Sequence, residues 1–167
     1  MARGTLFKVP PFAVLDTNVL LLLLVGETDP KLIPRIARLS HYSIPAYRKL
    51  KRSLAMTRGL LVTPHVFSEL SNLPFQDIKG PLRERFVAIM RLVLGRFEER
   101  SVEMETILKH PLLEKIGVTD VSLAEAGRRR DTVIVTDDFR AAGMLERQGC
   151  RVFNTNWMLG QMYLGEP

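Results

Sequence analysis

Cysteine is nearly absent from this chain: Cys150 is the single one in 167 residues. An internal disulfide is thereby excluded, and the usage suits a reducing cytoplasm. Histidine is scarce too. His41, His65 and His110 lie far apart with no ligand spacing between them, which argues against a zinc site. No apolar run approaches the ~20 residues that cross a bilayer. Leu20 to Val25 is short enough for the apolar part of a signal peptide, but Asp16 and Asn18 precede it and no small-residue cleavage site follows. Repeats, low-complexity tracts and domain linkers are also lacking. The expectation is a cytoplasmic protein with no membrane segment.

What is present is ordinary for a globular chain. Hydrophobic residues make up 46% and charged residues 25%, so disorder is not the default. The length fits one domain spanning 1–167 with a real core. Twenty-four Lys and Arg against eighteen Asp and Glu give a net charge of +6, which favours a polyanionic partner. A basic surface kept for solubility explains the charge equally well.

The pattern of elements is alternating. Phe12 to Leu15 reads as a short buried strand ending at Asp16, and Thr17 to Val25 as a buried helix. Glu27 to Pro34, with two prolines, reads as a loop. Arg35 to Arg58 is basic, with Pro45 in its middle, and reads as one or two short helices. Leu60 to Val62 is a second strand. Thr63-Pro64 then supplies a helix cap and a first helical position, opening a helix that carries Glu69 and runs to about Leu73. Pro81 opens a long amphipathic helix with Leu82, Phe86, Ile89, Met90, Val93 and Phe97 at helical spacing, and Arg83, Arg85, Arg91 and Arg96 on its other face. Thr106 to Ile116 reads as a helix ended by Gly117, and Thr119 to Arg129 as another, capped by Thr119. Thr132 to Thr136, "TVIVT", is a buried parallel strand. Asp138 to Gln148 is a helix closed by Gly149, and Arg151 to Phe153 a last strand before a loose tail. Short apolar strands alternating with helices predict an α/β/α sandwich around a parallel sheet.

In such a sheet, functional groups gather past the carboxyl ends of the strands. Asp16 ends the first strand, Glu69 lies on the helix after the second, Asp120 opens a later helix, and Asp137 and Asp138 follow "TVIVT". Acids from four segments are therefore expected at one edge. Carboxylates gathered in a cleft raise each other's pKa, and a divalent ion relieves that conflict. An all-oxygen donor set selects a hard ion, Mg²⁺ or Mn²⁺, which is suited to phosphodiester hydrolysis. Taken one at a time, Glu69 reads equally well as a solvated helix residue. Asp120 alone could be a first-turn acid, and Asp137 and Asp138 turn formers. Asp16, between two buried runs, is the hardest to explain without a partner.

With these pieces in place the chain resembles the PIN-domain nucleases, a family that includes the VapC-like toxins of bacterial and archaeal toxin–antitoxin pairs. The matching stretches are "VLDTNVLL" at 14–21, "LLVTPHVFSELSNL" at 60–73, "GVTDVSLAEAG" at 117–127 and "TVIVTDDFRAAGMLERQGCRVFN" at 132–154. Residues 27–58 and 74–110 match no motif, and the former stand as a basic insertion. The resemblance implies a PIN-like sheet of four or five parallel strands and Mg²⁺- or Mn²⁺-dependent endoribonuclease cleavage of RNA. Carried over by position, the metal acids and catalytic residues are Asp16, Glu69, Asp120 and Asp137. The doubled acid leaves Asp138 open as the alternative fourth ligand or as a helix cap. Thr17, Asn18 and Thr136 would orient the carboxylates. Thr17 and Thr136 read equally well as backbone caps. An antitoxin protein and a homodimer are the protein partners that the resemblance brings into view.

In this frame two basic clusters are RNA-binding candidates: Arg128, Arg129, Arg130 and Arg140 as flanks of the cleft, and Arg48, Lys49, Lys51 and Arg52 as a track for the backbone. Either reads equally well as a solvated face. Tyr42 and Tyr47 are better explained by core packing than by base stacking, and His65, one turn before Glu69, by a structural role. Phosphatases of the haloacid-dehalogenase type need a second acid where Asn18 stands, and receiver domains need an acidic pair and a late lysine that are missing. The remaining rival is a non-catalytic PIN-like module that binds RNA or protein.

Overall fold

The computed structural model describes residues 11–72 and 78–157. Among them five strands form one sheet: β1 (Phe12–Leu15), β2 (Gly59–Val62), β3 (Glu98–Glu99), β4 (Thr132–Thr136) and β5 (Val152–Asn154). Their order is β3-β2-β1-β4-β5 and every pairing is parallel. The helices are α1 (Thr17–Thr28), α2 (Ile44–Ala55), α3 (Pro64–Asn72), α4 (Pro81–Leu94), α5 (Met104–Leu108), α6 (Leu113–Gly127) and α7 (Phe139–Arg147). The three-layer α/β/α arrangement read from the alternation is the one observed.

Side-chain alternation along the strands assigns the layers. Ala13, Val133, Val135 and Phe153 meet Leu50 and Leu54 of α2 on one face of the sheet. Ile134 points the other way, tight against Gly127 at the end of α6, where an added Cβ would lie 2.5 Å from the isoleucine. Helix α1 is buried along nearly its whole length, which explains why its leucines show no polar stripe. It lies among α2, α3 and α4.

Several boundaries differ from the sequence reading, each for a local reason. The segment expected as a loop from Glu27 to Pro34 is mostly helical. The Thr28 hydroxyl bonds the Leu24 carbonyl and prolongs α1. Asp29 then caps a 3₁₀ turn, Pro30–Arg35, through the Lys31 N–H, and a second 3₁₀ turn spans Ala37–Leu39. Pro45 sits in the first turn of α2, where its missing N–H costs nothing. The long amphipathic helix stops at Leu94, so Arg96 and Phe97 lie beyond it, and β3 follows as an exposed edge strand. The helix expected over Thr106 to Ile116 is broken. Pro111 cannot donate a helical hydrogen bond, and the chain turns at His110 before α6 begins. Gly117, at φ 79°, interrupts α6, and the backbone is helical again directly after it. Thr119 therefore sits inside the first resumed turn and does not cap it. At the other end, Asp138 caps α7, the helix ends at Arg147, and Gly149 takes a positive φ of 81°. The expected end of α3 at Leu73 and most of the tail lie outside the described residues.

Candidate active site

The strand order reverses at β1, whose neighbours β2 and β4 lie on opposite sides. Such a switch point opens a crevice at the carboxyl edge. Leu15 pairs with Val135, so the residues that follow, Asp16 on one strand and Thr136 and Asp137 on the other, emerge together. A cleft of ≈ 360 Å³ sits there, and its walls include Asp16, Glu69, Asp120, Asp137 and Asp138. All five candidate acids share it.

Local backbone needs hold each acid in place. Asp16 is 6% exposed and caps α1, its Oδ1 accepting from the Val19 N–H at 2.7 Å. Its Oδ2 accepts from the Asp137 N–H at 3.0 Å, which ties β1 to the end of β4. Thr17 donates to Glu69 Oε2 at 3.0 Å, and Asn18 donates to Asp137 Oδ1 at 3.2 Å. Thr136 hydrogen-bonds the Asp16 carboxyl, and its oxygen accepts the Asp138 N–H at 3.0 Å. Asp138 spends one carboxylate oxygen on the Ala141 N–H at 2.9 Å. Thr63, the helix opener expected from sequence, does cap α3 through the Val66 N–H and also bonds Ser122 on α6, fixing the helices that carry Glu69 and Asp120.

The electrostatics are those of crowded acids. Burial, then the charge of Asp137, pushes the Asp16 carboxyl up to about 7. Burial, then Asp138, Glu69 and Asp137, pushes Asp120 up to about 6. Asn18 Oδ1 is buried in the cleft wall without a donor among the described residues. Carboxyl oxygens crowded against one another, beside an unmet amide acceptor, are an all-oxygen donor set of the kind that suits a hard dication. The side chains are not drawn into a closed cage: among the described residues no three acids, histidines or cysteines stand ready as ligands. Hydrogen bonds to Thr17, Asn18 and three backbone amides take up their oxygens instead.

The basic candidates fare differently. Arg128, Arg129 and Arg130 precede β4, whereas the acids follow it. A five-residue strand separates them, which is ~13 Å or more, so they do not flank the cleft. Arg128 pairs with Glu125 at 3.2 Å. Arg140 is exposed in the first turn of α7, on the acidic side of the sheet. Lys51 is committed to Glu27 at 2.6 Å, near the far end of α1, ~15 Å along the helix from Asp16. Arg48 and Arg52 are exposed and Lys49 is half-buried, all on α2. Tyr42 and Tyr47 are buried. The Tyr42 hydroxyl lies 2.6 Å from Thr155 Oγ1, and Tyr47 donates to Glu27 at 2.6 Å, so neither offers a face to a base. His65 is half-buried and outside the cleft walls.

The unmatched segment 27–58 contributes more than sequence reasoning assigned to it. Arg38 lines the acidic cleft, and His41 Nε2 lies 3.5 Å from Asp137 Oδ2. Burial, then Asp137, raises the Tyr42 hydroxyl well above its ordinary value. Asn156 adds a hydrogen bond to the Asp137 carbonyl from the other side. No spacing motif marks these residues. The sole sequence signal was that the segment is basic.

A parallel five-stranded sheet with acids along its carboxyl edge places the chain among proteins of PIN-like fold. Among solved structures, it is similar to VapBC2 from Rickettsia felis bound to a promoter DNA fragment, with a TM-score of 0.53 and 16% identity over 86% of this chain and 98% of that one. A domain of a functionally unknown protein from Methanocaldococcus jannaschii aligns with 15% identity over 86% of this chain and 90% of that one, at a TM-score of 0.43. No family model and no curated protein matches the sequence. Among the described residues no helix is long and apolar enough to cross a membrane.

Proposed function

We propose that this chain is a metal-dependent endoribonuclease of the PIN type, with Asp16, Glu69, Asp120 and Asp137 as the residues that hold Mg²⁺ or Mn²⁺. The observation that carries this reading is the convergence of acids from four segments on one cleft, with Asp16 and Asp120 held above the ordinary carboxylate range. A hard dication bound there lowers the pKa of water and screens phosphate charge, the chemistry that phosphodiester hydrolysis needs. The chain's own part is positional. Thr17 fixes Glu69 and Asn18 fixes Asp137, so the acids keep their places at the sheet edge. Asp137, directly at the end of β4 and joined to Asp16 through its backbone N–H, is taken as the fourth ligand, with Asp138, which caps α7, as the helper.

The toxin–antitoxin context rests on the similarity to VapBC2. A groove of ≈ 320 Å³ between α1, α2 and the end of α4, lined by Leu23, Leu54, Leu60, Val93 and Phe97 together with the charged Glu27, Lys51 and Arg96, offers a largely apolar seat for such a protein partner. A non-catalytic RNA- or protein-binding module is favoured by one observation, the engagement of both Asp16 oxygens in backbone hydrogen bonds. Incubation of mixed RNA with Mn²⁺, without metal and with EDTA separates the two. Cleavage with Mn²⁺ alone, lost in Asp16→Asn, supports the nuclease; metal and RNA binding with no cleavage supports the module.

A further inference from the structure

We infer that Arg38 is a phosphate-binding residue of the acidic cleft, delivered by the basic segment that matches no motif. This rests on reading the cleft as a site for nucleic acid. The argument starts from an anomaly. Arg38 lines a cleft that holds five carboxylates, yet among the described residues it forms no ion pair with any of them. An arginine beside so many acids would ordinarily fold onto one, since a guanidinium–carboxylate fork is among the strongest polar contacts. Here four of the five acids, Asp16, Glu69, Asp137 and Asp138, are already held by Thr17, Asn18 and backbone amides. Arg38 remains exposed on the wall, its donors unspent.

The need for such a cation follows from charge. Five carboxylates outweigh one dication, so a phosphodiester entering the cleft meets a surplus of negative charge even when the site is loaded. A guanidinium on the wall offsets that surplus and, being planar and forked, matches two phosphate oxygens at once. The geometry of the segment supports the role. Arg38 lies within the short 3₁₀ turn Ala37–Leu39, whose Leu39 is buried, and the next residues are anchored on the site by His41 against Asp137 and by Tyr42 against Thr155. With Ile36 buried just before it as well, the arginine projects from a backbone held on both sides. The other basic candidates lack this position: Lys51 is paired with Glu27, Arg128 to Arg130 sit at the opposite end of the sheet, and Arg140, though on the acidic side, does not line the cleft as Arg38 does.

The test is binding, separate from cleavage. Fluorescence anisotropy with a single-stranded 2′-O-methyl phosphorothioate RNA is measured over a salt series, in EDTA and again in Mg²⁺, for the wild type, Arg38→Gln, Arg38→Lys and Arg130→Gln. Arg38→Gln is expected to weaken binding roughly tenfold and to lower the slope of log K against log salt by ~0.7, the value for one phosphate on a single strand. Arg38→Lys keeps the slope with intermediate affinity, and Arg130→Gln changes neither. Melting temperatures stay level, because Arg38 is exposed. An unchanged slope in Arg38→Gln, an equal loss in Arg130→Gln, or no binding by the wild type in either buffer overturns the assignment. If the wild type cuts RNA while Arg38→Gln binds normally, this inference fails and the nuclease reading stands. If the wild type never cuts yet binds through Arg38, the reverse holds.

Discussion

Replacing Asp16 by Asn separates electrostatics from geometry, because the effect on stability changes with pH. The folded-state pKa of Asp16 is raised from 3.8 to about 7 by burial and by Asp137. A raised carboxyl favours the protonated native form, so its contribution is complete below pH 3.8 and is lost as pH rises through about 7. At ~1.4 kcal/mol per pH unit, the metal-free wild type gives up roughly 2–4 kcal/mol between pH 4 and pH 8 through this one group. The asparagine pays no such penalty. It does lose one acceptor: its carbonyl can serve the Val19 N–H, but its amide then faces the Asp137 N–H, which costs about 1–3 kcal/mol at every pH. The variant should therefore be weaker than the wild type at pH 4 and should gain on it as pH rises, reaching or passing it by pH 8. The difference between the two melting temperatures should move by on the order of 5–10 °C over that range. Circular dichroism melts in EDTA at both pH values decide it. A difference that stays constant with pH would refute the electrostatic account of Asp16.

Thr17→Val removes the hydroxyl that holds Glu69; cleavage should fall roughly 10–100-fold with little change in melting temperature. Activity assayed beside a thermal melt checks this. Asp137→Asn should abolish cleavage, whereas Asp138→Asn, which keeps a good helix cap, should retain part of it; the two rates with Mn²⁺ compare them. Gly26→Ala would place a Cβ 2.2 Å from the Tyr47 ring, and a loss of about 1–3 kcal/mol in denaturant unfolding is expected.

The elements that carry chemistry were legible because their sequences satisfy several demands at once. "TVIVT" is β-branched and buried, and the acids after it stand where a parallel strand must end. "LDTN" is both a strand end and a helix cap, with Asp16 as the cap. Elsewhere the signal was missing or misleading. β3 consists of two exposed glutamates, held by backbone pairing to Leu61 and Val62, and no side-chain pattern announces it. Arg128 to Arg130 are close in sequence to Asp137, but a strand lies between and carries them to the opposite edge. Arg38 and His41 belong to short 3₁₀ and turn backbone, where neither helical nor strand period applies. Their approach to the cleft is a tertiary fact.

Calorimetric titration of Mn²⁺ into the wild type and into Asp16→Asn, Glu69→Gln, Asp120→Asn and Asp137→Asn bears most directly on the shared cation. Saturable binding by the wild type near pH 6.5, with proton release seen as a buffer-dependent enthalpy, and affinity reduced at least about tenfold in each variant, is the expected result. Absence of binding, or binding indifferent to all four substitutions, would contradict it.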